Sequence, residues 1–275
     1  VRTAPPAGAY LRPAGLDFQP GERLAAPRRL TPRDIALIAS MGMEAVTVAR
    51  RPVVALIPTG DELVLPGDAP GPTQIFASNG YGLAARIEEA GGIAMLLPPA
   101  ADTPESLVEA LGAAREADII ITLGGASVGD HDLVARVFGE QGLDLGFHRI
   151  AMRPGKPLMA GRVGAAAMIG LPGNPVSALV CGELFVVPAI ERAQGLPGAL
   201  PQGRAMPLSA AIGPNAARMH FMRARLSPDR TTVTVAEDQD SSRLAILAHA
   251  DGLVVRPPHA PAAPAGSTVE FIAFR

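Results

Sequence analysis

Ile119-Ile120-Ile121-Thr122-Leu123 runs directly into Gly124-Gly125-Ala126-Ser127-Val128-Gly129-Asp130-His131-Asp132. An uninterrupted apolar run of this kind reads as a strand buried on both faces, which is the habit of parallel strands. The paired glycines that end it permit a tight turn and let backbone N–H groups approach an anion closely. Ser127 adds a hydroxyl, and Asp130 and Asp132 add carboxylates suited to a hard divalent cation. A strand entering a glycine-rich, acid-tipped loop is the layout of a phosphate-and-magnesium site. The same letters also fit a strand–helix turn whose aspartates cap the next helix.

The neighbouring segments alternate between strand and helix. Val53 to Ile57 reads as a buried strand, and Ser78 and Asn79 as caps of a helix to Glu89 that Gly91 and Gly92 end. Ile93 to Leu97 is a second strand. Thr103 and Pro104 open a helix to about Glu116, before the strand quoted above. Leu133 to Phe138 reads as helix and Ala166 to Leu171 as strand. A long helix from Val176 to about Arg192 should break or kink near Pro188. This alternation implies right-handed βαβ units: an α/β fold with a parallel sheet and helices on both faces.

Outside that region the texture changes. The first thirty residues are rich in Pro, Gly and Arg, and a short helix follows, with Thr31 as N-cap, Pro32 at its first position and Gly42 closing it. Past Gly198 the pattern predicts a small all-β domain. Arg218 to Leu226, Thr231 to Ala236, Leu253 to Val255 and Val269 to Phe274 read as strands, with no convincing helix among them. The proline-rich stretch from Arg256 to Gly266 reads as a loop between the last two strands.

Composition excludes several classes. Of 275 residues, 48% are hydrophobic and 18% charged, which is globular rather than disordered. A net charge of -2 without a basic run argues against nucleic acid as the main partner. No apolar stretch is long enough to span a membrane and no signal peptide is visible, so a cytoplasmic protein is expected. Cys181 is the only cysteine, which rules out an internal disulfide, and its apolar surroundings read as core. The histidines lack zinc-site spacing, and no dinucleotide, P-loop or nucleophile-elbow fingerprint occurs. The chain opens on Val1 rather than Met and reads as a fragment lacking an N-terminal portion.

The candidate chemistry sits on loops that follow strands: PTGDEL (58–63), GGASVGDHD (124–132) and GLPGNPVSA (170–178). In an open parallel sheet, ligands bind outside the carboxyl ends of the strands, so these loops should converge. In the first, Thr59 and Gly60 favour close backbone approach, while Asp61 and Glu62 suit a cation or a polar heterocycle, or else form a solvated turn. In the third, Pro172 and Pro175 stiffen the chain, and Asn174 after Gly173 tolerates left-handed geometry. Ser177 lies in the first turn of the next helix, where an oxyanion is favoured, though capping alone explains the same letters. RPGKP (153–157) holds Arg153 and Lys156 on a proline-stiffened turn, either to bind an oxyanion or phosphate or simply to be solvated. Arg218 and Arg223 flank Phe221; alternation puts Arg223 and Phe221 on one strand face, with surface exposure the ordinary reading of such an arginine.

These motifs, with Ser78–Asn79, occur in an order and at spacings that resemble MoeA, the molybdopterin molybdenumtransferase family that includes gephyrin and plant E-domain relatives. Residues 10–48, with PGERL and IASMG, resemble the close of that family's second domain. The resemblance implies a remnant of the second domain over residues 1–50. It implies a MoaB/MogA-like α/β molybdopterin-binding domain over 51–197, and the family's β-structured fourth domain over 198–275. It implies magnesium-dependent insertion of molybdate into adenylated molybdopterin with release of AMP, in a homodimer that contacts the adenylyltransferase partner.

Carried onto matching positions, Glu62 and Asp132 become the acids beside metal and pterin phosphate, with Asp130 a further catalytic acid. Gly124, Gly125, Ser127 and Gly129 cradle phosphate or pterin, aided by Thr59, Gly60, Asp61, Ser78 and Asn79. Arg153, Lys156 and Ser177 lie on the molybdate or pyrophosphate path, beside Pro172, Gly173, Asn174 and Pro175. Arg223, Ser241 and Ser242 resemble molybdate-contacting positions. The chain departs from the pattern at Ala77, where an Asp is usual, at Ala126 (usually Val), at Arg153 (often Lys) and at His220 (usually acidic). Two other readings use the same residues: a nucleotide pyrophosphate hydrolase of the CinA kind, and a non-catalytic molybdopterin-binding scaffold.

Overall fold

The computed structural model describes residues 4, 6–9, 11–125 and 133–274, in two compact units, 1–47 and 48–275. Within the first unit, α1 (Pro32–Ser40) starts as its letters require. The Thr31 hydroxyl accepts from Asp34 N at 3.3 Å, and Asp34 accepts from Thr31 N at 2.8 Å, a reciprocal capping box. Arg28 pairs with Asp34 at 3.0 Å.

The second unit is built on a six-stranded sheet. Its elements are β1 (Val53–Pro58), β2 (Leu63–Val64), β3 (Ile75–Phe76), α2 (Ser78–Glu89), β4 (Ile93–Leu96), α3 (Pro104–Ala113), β5 (Ile119–Leu123), α4 (Leu133–Glu140), β6 (Leu143–His148), β7 (Met152–Arg153), β8 (Met159–Val163) and β9 (Ala166–Leu171). The order is β4-β1-β5-β9-β8-β6, with the first four strands parallel and β8 and β6 antiparallel at the edge. The continuous apolar strands serve two cores at once. Val54, Leu56, Ile119, Ile121 and Leu123 face α2 and the helix after β9, while Ala55, Ile57 and Ile120 face α3 and α4. The expected parallel sheet with helices on both faces is therefore present. The β6–β8 hairpin was not expected. Leu143, Leu145 and Phe147 do alternate, but Leu145 and Phe147 stay exposed, and the register shifts between them.

Other elements differ in detail. Ser78 and Asn79 do not cap α2; Ala77 occupies the N-cap without a side-chain bond, and both polar residues lie in the first turn. Thr103 does cap α3, accepting from Ser106 N, but that helix stops at Ala113, short of Glu116. The long helix is three pieces: α5 (Pro175–Cys181), a π-helical turn (Gly182–Val186) and α6 (Val187–Ala193). Pro188 has no N–H to donate, and the turn just before it widens so that Val187 N donates to Gly182 O. Arg86 of α2 clamps this turn through Glu183 at 2.6 Å, with both side chains largely buried.

The C-terminal segment forms a second sheet from β10 (Arg204–Pro207), β11 (Met219–Leu226), β12 (Val233–Val235), β13 (Gly252–Arg256) and β14 (Thr268–Ala273), with α7 (Leu244–Ala248) between β12 and β13. The order is β10-β14-β13-β11-β12, and β7 joins beside β11. Both β10 and α7 were missed by the sequence reading; α7 is apolar at all five positions and too short to show a helical period. Leu253, Val255 and Ile272 pack in the same apolar cluster as Met152, Val176 and Cys181, which joins the two sheets through one core.

Candidate functional site

The loops at the carboxyl ends of β1, β5 and β9 do meet. Thr59 N donates to Leu123 O at 3.0 Å, and Gly124 N to Leu171 O at 3.1 Å, so each loop leaves its strand tied to the next. At Gly124 the approach is close enough to demand glycine: with φ +107°, a Cβ would stand 2.6 Å from Thr59 O. Gly173 lies in ordinary contact, its Cβ position 3.5 Å from Gly124 Cα. The Thr59 hydroxyl is buried against these glycines and has no hydrogen-bond partner among the described residues. Asn79 completes the ring by donating from Nδ2 to Gly173 O at 2.7 Å. Ser127, Gly129, Asp130 and Asp132 lie outside the described residues, so their predicted roles are not placed.

Acid collects beside this junction. Asp61 accepts from Asp102 N at 3.0 Å, and Gly60 N donates to Ala100 O at 3.1 Å. The Asp102 carboxyl is pushed above the usual carboxylate range, first by desolvation and then by the negative Asp61 and Glu62. Glu62 itself is exposed, and no cluster of three potential metal ligands forms among the described residues.

The third loop also walls a second feature, a cavity of about 320 Å³. Arg153 and Lys156 line it from the RPGKP turn, Pro172, Asn174 and Ser177 from the end of β9 and the start of α5, and Ser241 from the segment after β12. The RPGKP turn is held shut by Ile150 N to Lys156 O at 3.0 Å and Leu158 N to Gly155 O at 3.0 Å. Asn174 donates from Nδ2 to Ser241 Oγ at 3.0 Å, and Val176 N donates to Ser241 O at 3.1 Å. Motifs far apart in sequence thus share one wall. Pro175 begins α5 and does not line the cavity. Ser242 is turned away, its hydroxyl and N–H both donating to Asp240, and those bonds hold the Asp240 carboxyl below its ordinary range. Beneath the turn, burial pushes the Cys181 thiol up to about 12, so it stays protonated.

Arg223 is not on the surface, and its donors are spent within the protein. It is 1% exposed. Its guanidinium donates to Gln239 Oε1, Arg243 O and Asp238 O at 3.1–3.3 Å. Of Arg218 and Arg223, Arg218 is the one that lines the cavity, and the sequence reading had not selected it. Alternation separates Arg218, His220 and Met222 from Phe221 and Arg223 but does not mark the open face, since Phe221 packs against one core and Met222 against another. Gln239 and Asp240, which also line the cavity, had no motif to mark them.

This geometry defines a class: an α/β protein whose glycine-lined loops meet at the carboxyl edge of its parallel strands, with a cationic, hydroxyl-lined cavity beside them. Residues 55–192 match the family described as "Probable molybdopterin binding domain", and residues 205–274 match "MoeA C-terminal region (domain IV)". Among curated proteins, molybdopterin molybdenumtransferase 2 of Mycobacterium tuberculosis is 35% identical over 261 residues, spanning 92% of this chain and 64% of that protein. The molybdopterin molybdenumtransferase of Nostoc is 38% identical over 201 residues, spanning 71% of this chain and 46% of its own. A solved MoeA protein of Pyrococcus horikosii superimposes with a TM-score of 0.78 at 32% identity, over 90% of this chain and 61% of that one. The chain belongs to the MoeA family, and it spans between 46% and 64% of the length of these relatives.

Proposed function

We propose that this chain is the ligand-binding and catalytic portion of a molybdopterin molybdenumtransferase. In this reading it inserts molybdate into adenylated molybdopterin and releases AMP. The observation that carries the proposal is the shared wall: Pro172 to Ser177 borders both the glycine-lined loop junction and the cationic cavity. A phosphate-bearing pterin at the first and a tetrahedral oxyanion at the second are then neighbours, and holding reactants side by side is a large part of catalysis.

Each residue has a task in this scheme. Arg153, Lys156 and Arg218 offset the charge of the dianion, and Ser177 and Ser241 offer it hydroxyl donors. The Thr59 hydroxyl and the close-packed Gly124 and Gly125 form a cradle in which a phosphate oxygen meets donors rather than methyl groups. Ser78 and Asn79 bring the start of α2 to the same place. Arg223 takes the role of a brace, while Ser242, through Asp240, holds the neighbouring Ser241 in position.

Magnesium fits the chemistry of the acids present, because carboxylate oxygens suit a hard cation; Asp102, raised first by burial and then by the negative Asp61 and Glu62, lies beside them. Glu62 and, from the family resemblance, Asp132 would hold the ion, which when bound neutralises the phosphoanhydride, with Asp130 as a further catalytic acid. The same reading takes residues 1–50, 51–197 and 198–275 as the second-domain remnant, the molybdopterin-binding domain and the fourth domain. It also carries a cytoplasmic homodimer that receives its substrate from the adenylyltransferase; no helix among the described residues is long and apolar enough to cross a membrane.

The test is AMP release from adenylated molybdopterin with magnesium, in the presence and absence of molybdate. Molybdate-dependent release is expected. Release that ignores molybdate would instead favour a pyrophosphate hydrolase, and binding without release a scaffold.

A further inference from the structure

A second cavity, of about 360 Å³, adjoins the first and shares Arg153, Arg218 and Gln239 with it, yet no role described above uses it. Its floor is a row of three side chains across three strands. His220 of β11 pairs in register with Arg153 of β7 on one side and Arg256 of β13 on the other. Paired residues of neighbouring strands project from the same sheet face, so two guanidinium groups flank one imidazole. The two cations stand two strands apart with the imidazole between them, a spacing that one anion above the row could bridge.

The protein supplies little of that negative charge. Among the described residues, Glu237 is the one acid lining the cavity, and it is exposed. The Arg153 side chain makes no hydrogen bond or ion pair among the described residues, whereas that of Arg256 is partly spent on the carbonyls of Gly213, Ala260 and Pro261. Asn215 locks the rim by donating to Arg218 O at 2.9 Å, Arg256 O at 3.0 Å and Pro257 O at 2.7 Å, so the cations are mounted on fixed backbone. His220 is 7% exposed and its ring makes no hydrogen bond among the described residues. Burial, then Arg153, Arg218 and Arg223, push its pKa down to about 4. It is therefore a neutral, nearly buried imidazole, with an N–H able to donate into a cavity lined by arginines.

We infer that this cavity is a second subsite for a tetrahedral oxyanion, held by Arg153, Arg218 and Arg256 with His220 as donor. It shares Arg153 and Arg218 with the Lys156 cavity, but its own groups, Arg256 and His220, have no part in the transferase reading. An anion here would complete the charge balance of the Arg–His–Arg row and stand one arginine pair away from the first cavity.

Tungstate locates the site by anomalous diffraction, and calorimetry gives its affinity. The wild-type chain should show tungstate at two positions, one in each cavity. Lys156→Ala should lose the first position and keep the second. His220→Asp places a carboxylate between the arginines and should weaken the second position at least tenfold while keeping the first. His220→Gln, which keeps a neutral donor, should stay within about threefold of wild type, which separates loss of the site from loss of the fold. Phosphate that displaces tungstate equally well would identify the subsite as one for phosphate; selective retention of tungstate and molybdate would identify it as one for the metal oxyanion. Tungstate confined to the Lys156 cavity, or a His220→Asp chain that retains both positions, would overturn the inference. Tungstate only at His220 would instead count against the transferase assignment of the Lys156 cavity.

Discussion

Arg218 and Arg223 stand at opposite ends of one short stretch, and their surroundings give them different work. Arg223 is buried and supports the backbone of Asp238 and Arg243, the segment that presents Ser241. Arg223→Ala would leave those carbonyls without donors and open a void, and should cost about 3 kcal/mol of stability by urea denaturation. Arg218 is exposed on the cavity, so Arg218→Ala should change stability by less than about 0.5 kcal/mol while weakening molybdate binding by about 1.5–3 kcal/mol in calorimetry. Equal effects of the two variants on stability would sink this division. Much of the site was legible at this scale, because glycines, prolines and cations next to strand ends leave few physical explanations. Thr59, Gly124, Asn174, Lys156 and Ser177 all fall at the loop junction or the cavity. The choice of strand face for the arginine was not legible, since alternation gives two faces and does not say which is covered. Gln239 was invisible because its amide acts through backbone groups of Arg223 and Ala236.

At the scale of elements, legibility followed burial. The strands with unbroken apolar letters, β1, β5 and β9, could be read directly, since burial on both faces leaves no polar position to confuse the period. The edge hairpin of β6 and β8 could not, because half-exposed segments carry a diluted pattern, and α7, apolar throughout, is too short to show a period. The break near Pro188 was foreseeable, whereas its form as a π turn depends on tertiary contacts such as Arg86 with Glu183. Glu183→Ala would strand the buried Arg86 charge and should cost about 3 kcal/mol, visible as a lowered denaturation midpoint. A change under about 1 kcal/mol would mean that the turn holds without its clamp. In the separate N-terminal unit, Thr31→Ala removes half of the capping box of α1 and should cost about 1 kcal/mol of that helix's stability.

Across the whole molecule, the two sheets of residues 48–275 share an apolar cluster, so the cationic cavities between them rest on common packing. That packing has a pH signature. His220 faces Arg153 on β7, Arg218 and Arg223 along its own strand, Arg256 on β13 and Glu237 at the rim, and its pKa falls to about 4 from an ordinary 6.5. A lowered histidine pKa means that the unfolded chain accepts a proton the folded chain refuses. The stability is therefore complete above pH 6.5 and declines as pH drops toward 4, by about 3 kcal/mol at most. Urea midpoints across that range should fall more steeply for wild type than for His220→Gln; parallel curves would contradict the assignment.

The central claim is that the Lys156 cavity delivers molybdate to a pterin held at the adjoining glycine junction. Its most direct test is the molybdate concentration that gives half-maximal AMP release from saturating adenylated molybdopterin, compared between wild type and Lys156→Ala. The account predicts a rise of roughly tenfold or more, as loss of a charged hydrogen bond requires. An unchanged half-maximal concentration, with AMP release intact, would contradict it.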